Sequence, residues 1–146
     1  MTRLADLKRK LQDKTAHIGV IGLGYVGLPV ACQFAEAEFR VTGVDIKCER
    51  VASINAGYSP IEGKEPGLAD LLSRVAGAGT LSATTDYAAL ADCDVVTINV
   101  ETPVDEDHAP RYHALRSVLR SLGRVVKAGC LVVVESTLAP HGLGGW

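Results

Sequence analysis

The sequence predicts a doubly wound α/β domain, with a parallel sheet at its centre and helices on both faces. Three observations lead there. Short apolar runs alternate along the chain with stretches of helical spacing. Several of those runs are apolar throughout, as strands buried on both faces are. The first run ends in a glycine-rich turn that opens a helix, and the alternation implies parallel strands joined by right-handed crossovers. With 146 residues, 47% apolar and 22% charged, the chain has the size and balance of one ordinary globular domain.

Residues 1–14 mix charges with Leu4, Leu7 and Leu11, which share one face of a short amphipathic helix packed on the domain. Residues 1–16 thus form a helical extension, and 17–146 the main domain. Residues 17–21 are a buried strand. Residues 28–38 are a helix carrying Val30, Ala31, Phe34 and Ala35 at helical spacing, and 40–44 are the second strand. A helix over 48–55, with Val51 and Ile54 on one face, closes on Asn55-Ala56-Gly57. Residues 58–66 hold Pro60, Gly63 and Pro66 and read as a loop. A helix over 67–76 is built on Leu68, Leu71, Leu72 and Val75. Then come a short strand over 80–83, a short helix over 87–91 and a strongly apolar strand over 95–100. Residues 103–110 are a loop, 112–126 a helix and 131–134 the last strand. No internal repeat or low-complexity tract interrupts the order.

The formal net charge of -2 argues against nucleic acid or an anionic membrane as the main partner. The start has no apolar core of signal-peptide length, and no run approaches the ~20 apolar residues of a membrane span. The expected location is the cytoplasm. Cys32, Cys48, Cys93 and Cys130 show no clustering of the kind that zinc or a disulfide framework needs. They read as buried, reduced and structural. His108 and His113 read as a loop and a helix-surface histidine rather than as a proton relay or metal ligands. No metal site is expected.

Gly22-Leu23-Gly24-Tyr25-Val26-Gly27 fits the pattern G-x-G-x-x-G. The pattern alone is weak, but here it follows a strand and opens a helix, as the mechanism requires. Gly22 permits the tight turn, Gly24 lets the backbone approach a pyrophosphate, and Gly27 lets helix and strand pack closely. Pro29 is tolerated in the first helical turn. The anion meets unpaired N–H groups and the positive end of the helix dipole. Asp45, which ends the second strand about 20 residues beyond the glycines, suits ribose hydroxyls and opposes a 2′-phosphate, which favours NAD over NADP. The alternative for Asp45 is a helix cap. Arg50 either flanks the adenine or is a solvated charge.

Two further strand ends carry polar clusters, Glu101-Thr102-Pro103 and Glu135-Ser136-Thr137. Ligands of open α/β sheets lie beyond the carboxyl ends of the strands, so both clusters share an edge with the glycine turn. With these motifs the chain resembles the UDP-glucose/GDP-mannose 6-dehydrogenases. The matching stretches are IGLGYVGLPVA (21–31), GVDI (43–46), INAGYSPIEGKEPGL (54–68), TTDYAAL (84–90), VETPVDEDHAP (100–110) and ESTLAP (135–140).

The resemblance implies a Rossmann-type NAD-binding domain from an oxidoreductase of polysaccharide biosynthesis. That enzyme oxidises C6 of a nucleotide-linked sugar from alcohol to carboxylate, reducing two NAD. It implies that the backbone at Tyr25 and Val26, with Asp45 and Arg50, holds the dinucleotide. It places Val100 and Thr102 along NAD, and Thr137 near the nicotinamide, where it helps position water. Glu135 would orient the same region. Without the resemblance, Thr102 and Thr137 are ordinary strand-end hydroxyls that cap turns. The loop Asp105-Glu106-Asp107-His108 looks more like the branch acting on N-acetylated hexosamine nucleotides.

Departures from the family limit what this chain does. The family's thiohemiacetal forms on a cysteine, helped by a lysine and an asparagine, and none of the four cysteines here aligns with that position. The central helix, the sugar-binding domain and most of the dimer interface are also missing, so this chain alone is expected to bind NAD without catalysis. The full-length enzyme would be a homodimer or larger. The ending His141-Gly142-Leu143-Gly144-Gly145-Trp146 is unlike the family and fits a deliberate cut, a truncated gene or a frameshift. Arg111 stands where the family usually has an acid, and Asn99 and Glu101 are unusual beside the Thr-Pro pair. Two other readings stay open: a stand-alone nucleotide-sensing module, and the NAD domain of a hydroxy-acid or phosphogluconate-type dehydrogenase.

Overall fold

A computed structural model describes residues 2–61, 66–100 and 113–135. Helix α1 (Arg3–Gln12) begins at Thr2, whose side chain accepts the Ala5 N–H at 3.1 Å. Leu7 and Leu11 pack against the core, while Leu4 is 63% exposed. Two of the three leucines therefore dock the helix. Strand β1 (His17–Ile21) is buried along its whole length. Next come α2 (Gly27–Glu36), β2 (Arg40–Val44), α3 (Cys48–Asn55) and α4 (Leu68–Gly77). Beyond them lie β3 (Leu81–Thr84), a 3₁₀ turn (Tyr87–Leu90), β4 (Val95–Ile98), α5 (His113–Gly123) and β5 (Leu131–Val134).

The five strands form one parallel sheet in the order β3-β2-β1-β4-β5. The expected doubly wound architecture is present. On one face, Ile18, Val20 and Val41 pack with Leu28 and Ala31 of α2, Ile54 of α3 and Leu72 of α4. On the other, Ile21, Val44, Val96 and Ile98 pack with Leu90 of the 3₁₀ turn and Leu115, Val118 and Leu122 of α5. The chain passes from β3 at one edge to β4 on the far side of β1. The topological switch, and the crevice it creates, thus lie between β1 and β4.

A polar cluster closes the amino edge of the sheet. Asp94 accepts the His17 N–H at 2.8 Å, Lys127 Nζ at 2.8 Å and Lys10 Nζ at 3.0 Å. It ties α1, β1 and the approach to β5 together. Burial works to raise the Asp94 carboxyl, but Lys127, the His17 N–H and Lys10 outweigh it and bring it down to about 2. The buried His17 ring bonds Thr42 Oγ1 at 2.7 Å and Asp92 Oδ1 at 3.0 Å.

Several expected boundaries move. Helix α2 stops at Glu36 rather than at 38, because Glu38 turns into the left-handed region at φ 77°. Strand β4 ends at Ile98 rather than at 100, and α4 and β3 each lie one residue later than expected. Helix α5 ends at Gly123 rather than at 126, because the Leu122 carbonyl accepts both the Val125 and Val126 N–H groups. The cysteines do not share one environment. Cys32 and Cys93 are buried, Cys130 is half-buried, and Cys48 is exposed at the start of α3, where the helix opens beyond the sheet edge.

Candidate functional site

The carboxyl edge begins where β1 ends. Gly22 has φ +88°, and a Cβ there would lie 2.9 Å from the Asn99 carbonyl oxygen. At Gly27 a Cβ would lie 1.6 Å from the Gly22 oxygen, so α2 can start this close to the strand only without a side chain. Gly24 differs from both. A Cβ there would find its nearest neighbour, Arg50 Nη1, at 3.8 Å. Among the described residues, the protein's own packing does not require glycine at that position.

The turn feeds into the amino end of α2, where Val26 stands at the cap without a side-chain bond. The Tyr25, Val26 and Gly27 N–H groups make no hydrogen bond within the described residues. Three unpaired donors at the positive end of a helix form a natural seat for an anion. Tyr25 is 63% exposed and Val26 58% exposed, flanking the turn. Open space at Gly24 and free donors beside it fit a pyrophosphate.

Asp45 follows β2 and is 7% exposed. Its carboxylate accepts the Leu23 N–H at 2.9 Å, the Lys47 N–H at 3.0 Å and Arg50 Nη1 at 3.1 Å. Burial works to raise the carboxyl, but the Lys47 and Leu23 N–H groups and then Arg50 hold it below the usual carboxylate range. The cap of α3 is Lys47 rather than Asp45. Arg50 bridges to Asp45 instead of standing free in solvent. Asp45 thus anchors the glycine turn as well as presenting an acidic edge, a second task that sequence spacing did not reveal. Tyr87 is half-buried, and burial, then the charge of Asp45, push its phenol up.

Across the switch point, the Asn99 N–H donates to the Ile21 carbonyl at 2.8 Å. Asn99 Oδ1 accepts the Thr97 hydroxyl at 3.1 Å, and Asn99 Nδ2 donates to Glu135 Oε2. Val100 is half-buried against the α5-side cluster. The structure therefore brings Gly22, Gly24, Tyr25, Val26, Gly27, Asp45, Arg50, Val100 and Glu135 to one edge of the sheet. Thr102, Thr137, Glu101, His108 and Arg111 lie outside the described residues. The link from Asn99 to Glu135 was missed in sequence. Its one signal was that Asn99 is an unusual residue beside the Thr-Pro pair. Among the described residues no group of three or more His, Cys, Asp or Glu is placed to hold a metal ion. No helix there is long and apolar enough to cross a membrane.

Residues 16–143 match the family model described as "UDP-glucose/GDP-mannose dehydrogenase family, NAD binding domain". The UDP-N-acetyl-D-mannosamine dehydrogenase of Escherichia coli K12 is 42% identical over 122 residues, covering 84% of this chain and 28% of that protein. The UDP-glucose 6-dehydrogenase AglM of Haloferax volcanii is 40% identical over 128 residues, covering 86% and 29%. The crystal structure of an NDP-N-acetyl-D-galactosaminuronic acid dehydrogenase from Methanosarcina mazei superposes with a TM-score of 0.84 at 35% identity, covering 99% of this chain and 32% of that one. The chain spans less than a third of the length of these relatives.

Proposed function

The chain belongs to the UDP-glucose/GDP-mannose dehydrogenase family, as its NAD-binding domain, and from that premise we propose what its residues do and which enzyme it serves. The Tyr25, Val26 and Gly27 N–H groups, unpaired among the described residues, take the pyrophosphate, and Gly22 and Gly24 give the room. Asp45 takes the adenosine ribose hydroxyls, with Arg50 beside it. Val100 and Thr102 line the path of the dinucleotide, and Thr137 and Glu135 stand at its nicotinamide end. NAD supplies the hydride acceptor for oxidising an alcohol. The single observation that carries this reading is Asp45, a buried carboxylate bonded to the glycine turn at the end of β2. A 2′-phosphate there would meet like charge, with Arg50 already engaged.

The parent enzyme oxidises the C6 alcohol of a nucleotide-linked sugar to a carboxylate, in the cytoplasm, for polysaccharide biosynthesis. The acidic loop 105–108 and the relatives acting on N-acetylmannosamine nucleotides support an N-acetylated hexosamine as that sugar. This chain alone binds NAD without turnover, and residues 1–16 are an extension ahead of the dinucleotide-binding domain. Thiohemiacetal chemistry needs an accessible, activated thiolate. Burial pushes the Cys32 thiol up to about 11, and the Cys93 thiol up to about 12. Cys48 opens α3 three residues after Asp45, and Cys130 precedes β5 at the opposite edge of the sheet. The full-length enzyme is a homodimer or a larger assembly.

Calorimetric titration of the chain with NAD and NADP, alongside an Asp45→Ala variant, tests the cofactor assignment. Saturable NAD binding, tighter than NADP and weakened in the variant, is the expected result. Equal affinity for the two cofactors would remove Asp45 from its role.

A further inference from the structure

We propose that Asn99 is a positioning residue that fixes Glu135 at the nicotinamide end of the crevice, and that the fixed carboxylate makes the site prefer oxidised to reduced dinucleotide. This rests on the NAD reading above and extends it to the redox state of the ligand. The placement comes from the sheet. Ile98 pairs with Val134, and the Glu135 N–H donates to the Ile98 carbonyl at 2.9 Å. One step further in the same register, Asn99 and Glu135 face one another on one side of the sheet.

The side chains make that juxtaposition specific. The amide of Asn99 has two different ends, and each has a matching partner. Its oxygen accepts the hydroxyl of Thr97, which is only 3% exposed, and its nitrogen donates to the carboxylate of Glu135. A reversed amide would set oxygen against carboxylate oxygen. Asn99 is also held from behind. Its carbonyl crowds Gly22, and its Cβ would lie 3.3 Å from a Cβ built on Gly27. The residue that orients Glu135 is thus packed against the turn that takes the pyrophosphate. Glu135 forms no ion pair within the described residues, so its charge is not cancelled there.

The dinucleotide fixes what that charge acts on. With the ribose at Asp45 beyond β2 and the pyrophosphate over β1, the nicotinamide half falls across β4 and β5. The oxidised ring carries a formal positive charge and the reduced ring carries none, while the rest of the molecule is the same. A carboxylate near the ring therefore changes the ratio of the two affinities more than either shared contact does. For unit charges several ångströms apart at an exposed protein edge, the effect on that ratio is about three- to tenfold. It shrinks as salt rises.

The test is the pair of dissociation constants of the full chain, for oxidised NAD by calorimetry and for NADH by its fluorescence, at low and high salt. Glu135→Gln is expected to lower the preference for the oxidised form by about three- to tenfold, with NADH affinity unchanged. Asn99→Ala is expected to shift it the same way by a smaller factor. Asp45→Ala is expected to weaken both forms in parallel. Glu135 is exposed, so its variant leaves the core intact and carries the test even if Asn99→Ala is unstable. An unchanged ratio in Glu135→Gln overturns the proposal while the NAD assignment stands. A normal ratio in a folded Asn99→Ala overturns the role of Asn99. Failure of the unaltered chain to bind either form overturns the NAD reading and this proposal with it.

Discussion

Gly24→Ala separates the glycine that the ligand needs from the glycines that the fold needs. The added Cβ finds its nearest atom at 3.8 Å and no left-handed backbone to oppose it. Such a substitution narrows the unfolded ensemble and is worth roughly 0 to +1 kcal/mol. For a domain of this length that is a rise in Tm of about 0 to 4 °C. In the proposed NAD-binding mode, the same methyl stands where the pyrophosphate approaches the backbone. Displacing one charge-assisted hydrogen bond there costs about 1.5–3 kcal/mol, a loss of affinity of roughly ten- to 150-fold. Gly27→Ala is the contrast, since its Cβ would sit 1.6 Å from the Gly22 oxygen. The start of α2 must then move, at a cost of about 1–3 kcal/mol or more. Thermal unfolding and NAD calorimetry on the two variants decide the matter. Gly24→Ala with a lowered Tm, or with NAD affinity within threefold of the original, would refute the division drawn from the geometry.

Asp94 predicts the acid limb of stability. Its folded value of about 2 lies below the unfolded value, so its contribution is complete above about pH 5 and disappears as the pH falls toward 2. The loss is on the order of 2 kcal/mol and should be absent from an Asp94→Asn variant, as read by urea unfolding at pH 5 and pH 2.5. His17 acts in a higher window. Burial, then the charge of Arg40, lower it against the pull of Asp92 and Asp94, so the folded state disfavours its protonation. Its contribution is complete above the unfolded value of about 6.5 and declines as the pH falls below that, which His17→Asn should abolish in unfolding curves between pH 7.5 and 5. The cysteines should label in order of exposure. A brief treatment of native protein with a thiol reagent, followed by mass spectrometry, is expected to mark Cys48 first and to leave Cys32 and Cys93 until denaturant is added.

Much of this was legible in the sequence because local rules and burial agreed. The expected bounds of β1, β2, α3 and β5 match the structure to the residue. Each is an apolar run or helical stretch punctuated at both ends. The misplaced end of α5 shows where periodicity misleads. Val125 and Val126 still pack against the core after the helix has stopped, so the apolar pattern outlasts the hydrogen bonding. Cys48 departs from the burial that its residue type predicts, because the first turn of a helix outside the sheet edge is open to water. Within the site, the glycine turn was readable because Gly22 and Gly27 answer local steric demands and Gly24 completes the pattern between them. The bonds from Asp45 to Leu23 and from Asn99 to Glu135 join residues distant in sequence. Nothing in the spacing of either pair announces them.

The strand order also sets a timetable. The bond that locks the glycine turn, Leu23 to Asp45, closes a separation of 22 residues, whereas the bond that seats β4 beside β1, His17 to Asp94, closes one of 77. Closing the longer loop costs about 1 kcal/mol more in chain entropy. On a ribosome, the residues that complete the first bond emerge long before those that complete the second. The half proposed to grip adenosine can therefore take shape while half of its central strand's flank is still bare. The half proposed to hold the nicotinamide waits for β4 and then for β5 beyond it. A nascent chain could meet its cofactor before it had anywhere to put the reactive end.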